Sequence, residues 1–224
     1  MIALAVYGIV FDELRDLILS GKLSRDDLAG TARELGLLDR GFPRNAHSMM
    51  NGAAMEGFGF LKVDTGEMEM RVLLDGMPWA GWRYGFSSRL LLADAFDTDL
   101  DFMKRCAERE ERPWAEAGRM EREMEGEIAG LRNPVSRMMI PGLLQGHRAG
   151  RDRRAQLRLL RVAAHYRATG EILDLDDPFG AKLLTSRTGD RLKVWSVGRY
   201  GVDGSGLDDW KPTPGRDIAL EVDR

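Results

Sequence analysis

The chain has 224 residues, with 33 Lys and Arg against 36 Asp and Glu, and a formal net charge of −3. Hydrophobic residues make up 43% and charged residues 31%, the balance of a packed soluble protein rather than a disordered one. The single cysteine, Cys106, excludes an internal disulfide framework and a multi-cysteine zinc site, and three histidines, His47, His147 and His165, leave little for catalysis or metal binding.

The length suits one large domain or two small ones. Near-neutral charge argues neither for nor against nucleic acid. The opening run Met1 to Phe11 is apolar and ends at Asp12-Glu13. A membrane span needs about 20 apolar residues, so this run is too short, and it lacks the basic leader and cleavage site of a signal peptide. It reads as an amphipathic core helix burying Ile2, Val6, Ile9, Val10, Phe11, Leu14, Leu17 and Ile18. A mature chain whose export signal has been removed is the other reading.

Ser20-Gly21 stops this helix, and Ser24 with Asp27 makes a capping pair for a second. Leu28, Ala32 and Leu35 follow at helical spacing, and Gly36 is expected to close the helix. Arg40 to Gly59 reads as loop, with Met49, Met50 and Met55 as adaptable core filler rather than a metal-binding cluster. Phe58 to Leu74 fits a strand or a helix. Trp79 and Trp82 stand in a turn-rich aromatic patch, read as a core anchor ahead of an exposed stacking surface.

Ser87 to Glu110 is predicted as a long helix with Leu90, Leu91, Ala95, Phe96, Leu100, Met103 and Ala107 as its buried stripe. Cys106 near its end reads as a small buried hydrophobe. After Pro113, a first-turn proline, the residues Trp114, Ala117, Met120, Met124, Ile128 and Leu131 mark a second amphipathic helix. Its other face, Glu116 to Glu127, is mixed in charge and solvated. Asn133-Pro134 is the strongest boundary in the chain.

A third helix is expected from Pro134 to Gly170, with a kink at Pro141-Gly142. Its apolar stripe is Leu157, Leu160 and Ala164, flanked by Leu159, Ala163 and Tyr166. Its polar side carries Arg148, Arg151, Arg153, Arg154, Arg158, Arg161 and Arg167, with Asp152 among them. One reading is an anion-binding face for phosphate, nucleic acid or an acidic partner, with Arg148, Arg151, Arg154, Arg158 and Arg161 as the candidate contacts. The other is a face that meets water or the acidic Glu116–Glu127 helix. The second is preferred, because no aromatic residues interleave as a single-strand binder needs. Beyond Gly170, Thr188-Gly189-Asp190 between Lys182–Thr185 and Arg191–Ser196 signals a hairpin, and Asp217–Val222 alternates as a third strand.

Here several short motifs occur in order. Asp177-Pro178-Phe179-Gly180-Ala181-Lys182-Leu183-Leu184 resembles the "DPFxGKPL" segment of type II secretion major pseudopilins, and Arg191–Gly198 resembles their "YxxYSxG" strand. Tyr166-Arg167-Ala168-Thr169-Gly170 is similar to the end of the pilin stalk, and Asp203-Gly204, Asp208-Asp209 and Asp217-Ile218 stand where that family has its acidic loop and last strand. The likeness covers residues 134–224 and implies a pseudopilin-like head carried after a helical region, as in bacterial envelope proteins. In that family the acidic loop holds calcium, so the resemblance makes Asp203, Asp208 and Asp209 candidate calcium ligands, with oxygen donors suited to the ion. An ordinary Asp/Gly turn loop stays the alternative, since Tyr200 stands at a position that is acidic in the family. The cell envelope follows if the likeness holds and an export signal was removed, and the cytoplasm otherwise.

The expected fold is α+β: a mainly helical region over 1–132, then over 133–224 a long helix packed on a small antiparallel three-stranded sheet. No Gly-x-Ser-x-Gly elbow and no Walker loop is present. His147 and His165 stand about 27 Å apart on one helix, too far for one metal. The expected function is therefore a non-enzymatic structural or interaction protein in a larger bacterial assembly, with a protein partner or self-assembly, and without nucleic acid. A hydrolase-like enzyme with a carboxylate site between the two parts, and an anion or nucleic-acid binder using the arginines, stand as the alternatives.

Overall fold

The computed structural model describes residues 2–41, 86–110, 112–199, 210 and 217–224. The elements are α1 (Ile2–Leu19), α2 (Arg25–Gly41), α3 (Phe86–Glu110), α4 (Trp114–Gly130), α5 (Pro134–Thr169), β1 (Leu184–Thr188), β2 (Arg191–Ser196) and β3 (Ile218–Asp223). The fold is α+β as expected. The methionines at 49, 50 and 55, the ambiguous Phe58–Leu74 segment and the Trp79–Trp82 patch lie outside the described residues.

Local rules place most of these boundaries. Ser24 and Asp27 form a reciprocal cap: the Asp27 backbone N–H donates to Ser24 Oγ at 3.2 Å, and Ser24 N–H and Oγ donate to Asp27 Oδ2 at 3.2 and 2.6 Å. Those bonds hold the Asp27 carboxyl below its usual range. Asn133 caps α5 by accepting the Val135 N–H at 2.9 Å. Gly170, with φ +80°, ends it in the left-handed conformation while its N–H reaches Tyr166 O at 2.7 Å. Pro141 stands inside α5, which runs on as one helix over 36 residues. β1 and β2 pair antiparallel from Leu184↔Trp195 to Thr188↔Arg191, leaving Gly189-Asp190 as a two-residue turn with Gly189 at φ +62°. β3 pairs on the other side of β2, giving the order β1-β2-β3.

The chain clusters into two compact units. One consists of Met1–Phe42, Pro113–Gly118 and Gly146–Arg224, the other of Pro43–Arg112 and Arg119–Gln145. Both are discontinuous in sequence, whereas the sequence reading divides the chain between 132 and 133.

The first unit has one core, which joins Phe11 and Ile18 of α1, Leu28, Ala32 and Leu35 of α2, residues 155–166 of α5, and Leu192, Val194, Leu220 and Val222 of the sheet. In that stretch of α5, Leu157, Leu159, Leu160, Val162, Ala163, Ala164 and Tyr166 are all closed to solvent. The Leu157–Leu160–Ala164 stripe and its flanks Leu159, Ala163 and Tyr166 are buried as expected, Val162 joins them, and the arc of Arg158, Arg161 and His165 is half-buried. The second unit packs Phe102, Met103 and Cys106 of α3 against Met124 of α4 and Ile140 and Leu144 of α5.

Three expectations need correction. Gly36 does not close α2; it sits buried inside the helix, which continues to Gly41. On α1, Phe11, Leu14 and Ile18 face the core, but Ile9, Val10 and Leu17 are exposed. The full apolar set of α1 spans more arc than one neighbouring surface can cover. On α3 the buried residues are Ala95, Asp99, Phe102, Met103, Cys106 and Arg109, while Phe96, Leu100 and Ala107 are half-buried. The stripe is turned toward two charged residues that hydrophobicity alone passes over.

Candidate functional site on the arginine helix

The seven arginines between 148 and 167 are the sharpest charge feature of the chain, and all of them are half-buried. Arg154 and Arg158, one turn apart, share one carboxylate: Arg154 Nε donates to Asp39 Oδ1 at 2.9 Å and Arg158 Nε to Asp39 Oδ2 at 3.0 Å. The acid comes from the end of α2. For Arg154 and Arg158 the acid is therefore Asp39, rather than one from the Glu116–Glu127 face. Arg158 also donates through Nη1 to the backbone carbonyl of Asp176 at 2.6 Å.

Two glycines make room for two more arginines. A Cβ on Gly36 would stand 2.9 Å from Arg161 Cζ, and one on Gly8 2.7 Å from Arg153 Cζ. Both guanidinium groups therefore lie flat across helices that carry hydrogen atoms where other residues carry side chains. Arg167 Nη1 donates to Ile18 O in the last turn of α1, where orphan carbonyls favour a cation. Arg148, the remaining candidate contact, is half-buried like the others.

Arg151 faces a different neighbour. Its Nη1 donates to Pro178 O at 3.1 Å, and its guanidinium lies 5.2 Å from the centre of the Trp114 ring. Trp114 packs edge-on against Phe179 with centroids 5.0 Å apart and donates Nε1–H to Arg199 O at 3.0 Å. Arg199 in turn pairs with Asp152. These contacts hold the Asp177-Pro178-Phe179 loop whose motif carries the resemblance.

Asp177 organises that loop from within. Its carboxylate accepts Phe179 N–H at 2.9 Å, Ser196 Oγ–H at 2.7 Å and Val197 N–H at 3.0 Å. Burial pushes its carboxyl above the usual range, and the three donors pull it back. The role is that of a clamp joining the loop to the end of β2. Trp210 is clamped likewise: its Nε1–H donates to Asp12, its carbonyl accepts Gln156 Nε2–H at 2.8 Å, and Arg15 lies 5.6 Å from its ring centre.

Asp203, Asp208 and Asp209 lie outside the described residues, and the calcium expectation lies there with them. Among the described residues no three His, Cys, Asp or Glu side chains converge as metal ligands, and no helix is long and apolar enough to cross a membrane. Sequence reasoning singled out the arginines, passed over Asp39 and Gly8, and took Gly36 for a helix end. Their only signal is an acid near a helix end and glycines inside helical patterns, both common for other reasons. No family model, curated protein or solved structure matches this chain.

Proposed function

We propose that the chain is a non-enzymatic structural protein that acts through contact with other proteins, as a subunit or accessory of a larger bacterial assembly. The observation that carries this reading is the outer side of α1. There Ile9, Val10 and Leu17 stand 67%, 50% and 42% exposed, while Phe11 and Ile18 of the same helix face the core. Single exposed apolar residues are ordinary, but Val10 and Leu17 are two turns apart on one line of a helix, the spacing at which a partner surface is read. The likeness of residues 134–224 to pseudopilin heads supports the assembly part of the reading. The engagement of Arg151, Arg154, Arg158 and Arg167 with a carboxylate or backbone carbonyls weighs against the anion-binding alternative, because cations so engaged attract phosphates weakly.

The test uses the full chain and a double variant, Ile9→Asp with Val10→Asp. Light scattering after size exclusion, together with cross-linking in the native host, reads self-association and partners. The reading expects an oligomer or a cross-linked partner at α1, lost in the variant while its thermal midpoint stays within about 2 °C, as for surface changes. A strictly monomeric wild type with no cross-link to α1 overturns it.

A further inference from the structure

The buried stripe of α3 contains two charged residues that are treated differently. Arg109 is met by Glu121 of α4, Nη1 to Oε2 at 2.7 Å. Asp99 is closed to solvent, and neither of its carboxylate oxygens has a hydrogen-bond partner among the described residues. The polar group beside it is Ser136 of α5, also fully buried, whose hydroxyl lies 3.4 Å from Ala95 O, one turn before Asp99.

The charged groups on the surrounding described elements are engaged or in solvent. On α3, Asp94 accepts Asn133 Nδ2–H at 2.8 Å, and Arg105 binds Asp101 and Glu127. On α4 the inward acid is Glu121, held by Arg109, and on α5 Arg137 is exposed. An ionised carboxylate buried without a donor or counter-charge carries a large desolvation cost. A neutral acid carries far less, and it gains a proton to give. Burial pushes the Asp99 carboxyl above its usual range, against a weaker opposite pull from Ser136.

We propose that Asp99 is an acid latch of the second unit: held as the neutral acid, it donates to Ser136 Oγ, whose own hydroxyl donates to Ala95 O. Ionisation removes the donated proton, places an unpaired charge in the contact between α3 and the start of α5, and loosens it. The sign follows from linkage. Below the ordinary aspartate value of 3.8 the group is protonated both folded and unfolded, and the latch is fully present. Above it the unfolded chain gives up the proton and the folded unit keeps it, so folding weakens about tenfold per pH unit. The loss ends once Asp99 ionises in the folded unit. Acid thus stabilises this unit, the reverse of the usual carboxylate effect.

Amide hydrogen exchange on the full chain, corrected for its intrinsic pH dependence, tests this on wild type and Asp99→Asn between pH 4 and 8. The expected result is that protection of α3 and the start of α5 falls with rising pH in wild type, by about tenfold per unit over part of the range, and that this fall is missing from the variant once changes common to both chains are subtracted. The wild-type comparison also removes the contribution of Asp177, which both chains keep. Parallel profiles overturn the proposal. A second reading needs no variant: the side-chain carboxyl carbon shift of Asp99, followed by NMR in wild type. A titration midpoint well above the ordinary aspartate value supports the latch, and an ordinary midpoint overturns it.

Discussion

In the first unit, Asp39 receives Arg154 and Arg158 at 2.9 and 3.0 Å, with the Arg154 side chain 41% exposed and that of Arg158 15%. In the second, Arg109 and Glu121 meet at 2.7 Å with the arginine wholly closed to water. The ion chemistry is the same and the surroundings differ. Around Asp39 there are two cations, one of them 41% exposed, and further arginine contacts along α5. The Arg109 side chain has no exposed surface. Losing one member of the first set leaves a charge that can rehydrate or find a neighbour. Losing one member of the second leaves a charge in a dry core.

Substitutions in both units press on that difference. The largest expected effect is Arg109→Ala or Glu121→Ala, each costing about 3–5 kcal/mol in the second unit, as for one partner of a buried pair. The joint change Arg109→Met with Glu121→Leu recovers most of that cost, because the desolvation penalty leaves with the charges. Urea unfolding monitored by hydrogen exchange in α3 and α4 measures both. Single variants that cost under about 1 kcal/mol, as exposed pairs do, remove the contrast between the units.

Asp39→Ala comes next, at about 2–3 kcal/mol, since it strands two guanidinium groups that are only partly solvated. Arg154→Ala costs under about 1 kcal/mol, because Arg158 still holds the carboxylate and water replaces the exposed partner. Equal losses for the two variants, in denaturant titrations of the full chain, place the bond at Arg154 rather than at the shared acid. The smallest effect separates two glycines of α2. Nothing lies within 4 Å of a Cβ on Gly30, so Gly30→Ala stabilises by about 0.5–1 kcal/mol through helix propensity. Gly36→Ala carries the same gain but must displace Arg161, and the thermal midpoint therefore rises less than for Gly30→Ala, or falls.

How much was legible follows the range of the forces. The Ser24–Asp27 cap, the Asn133-Pro134 start of α5, the Gly170 end and the Gly189 turn are set by residues two to four apart, and all were readable. The α4 stripe through Ala117 and Met124 was readable too, since its apolar period is unbroken, but Glu121, expected on the solvated face, is buried against Arg109. Gly36 was misread because a glycine after an apolar stripe looks the same whether it ends a helix or lets an arginine cross it. Ile9, Val10 and Leu17 were misread because their apolar character marks them for burial, while the arc that α1 buries depends on what packs there.

The sequence by itself determined the α+β class, the helix caps, the hairpin and the gathering of arginines on one helix. Those depend on backbone preferences and on spacing along a few turns. The tertiary structure decided where the arginines go. Asp39 meets Arg154 across 115 residues of chain and Arg158 across 119, and Asp99 and Arg109 enter a core that their charge argues against. Whether a charge is paired, solvated or stranded is settled by desolvation and by what stands opposite, and neither is written in the local pattern.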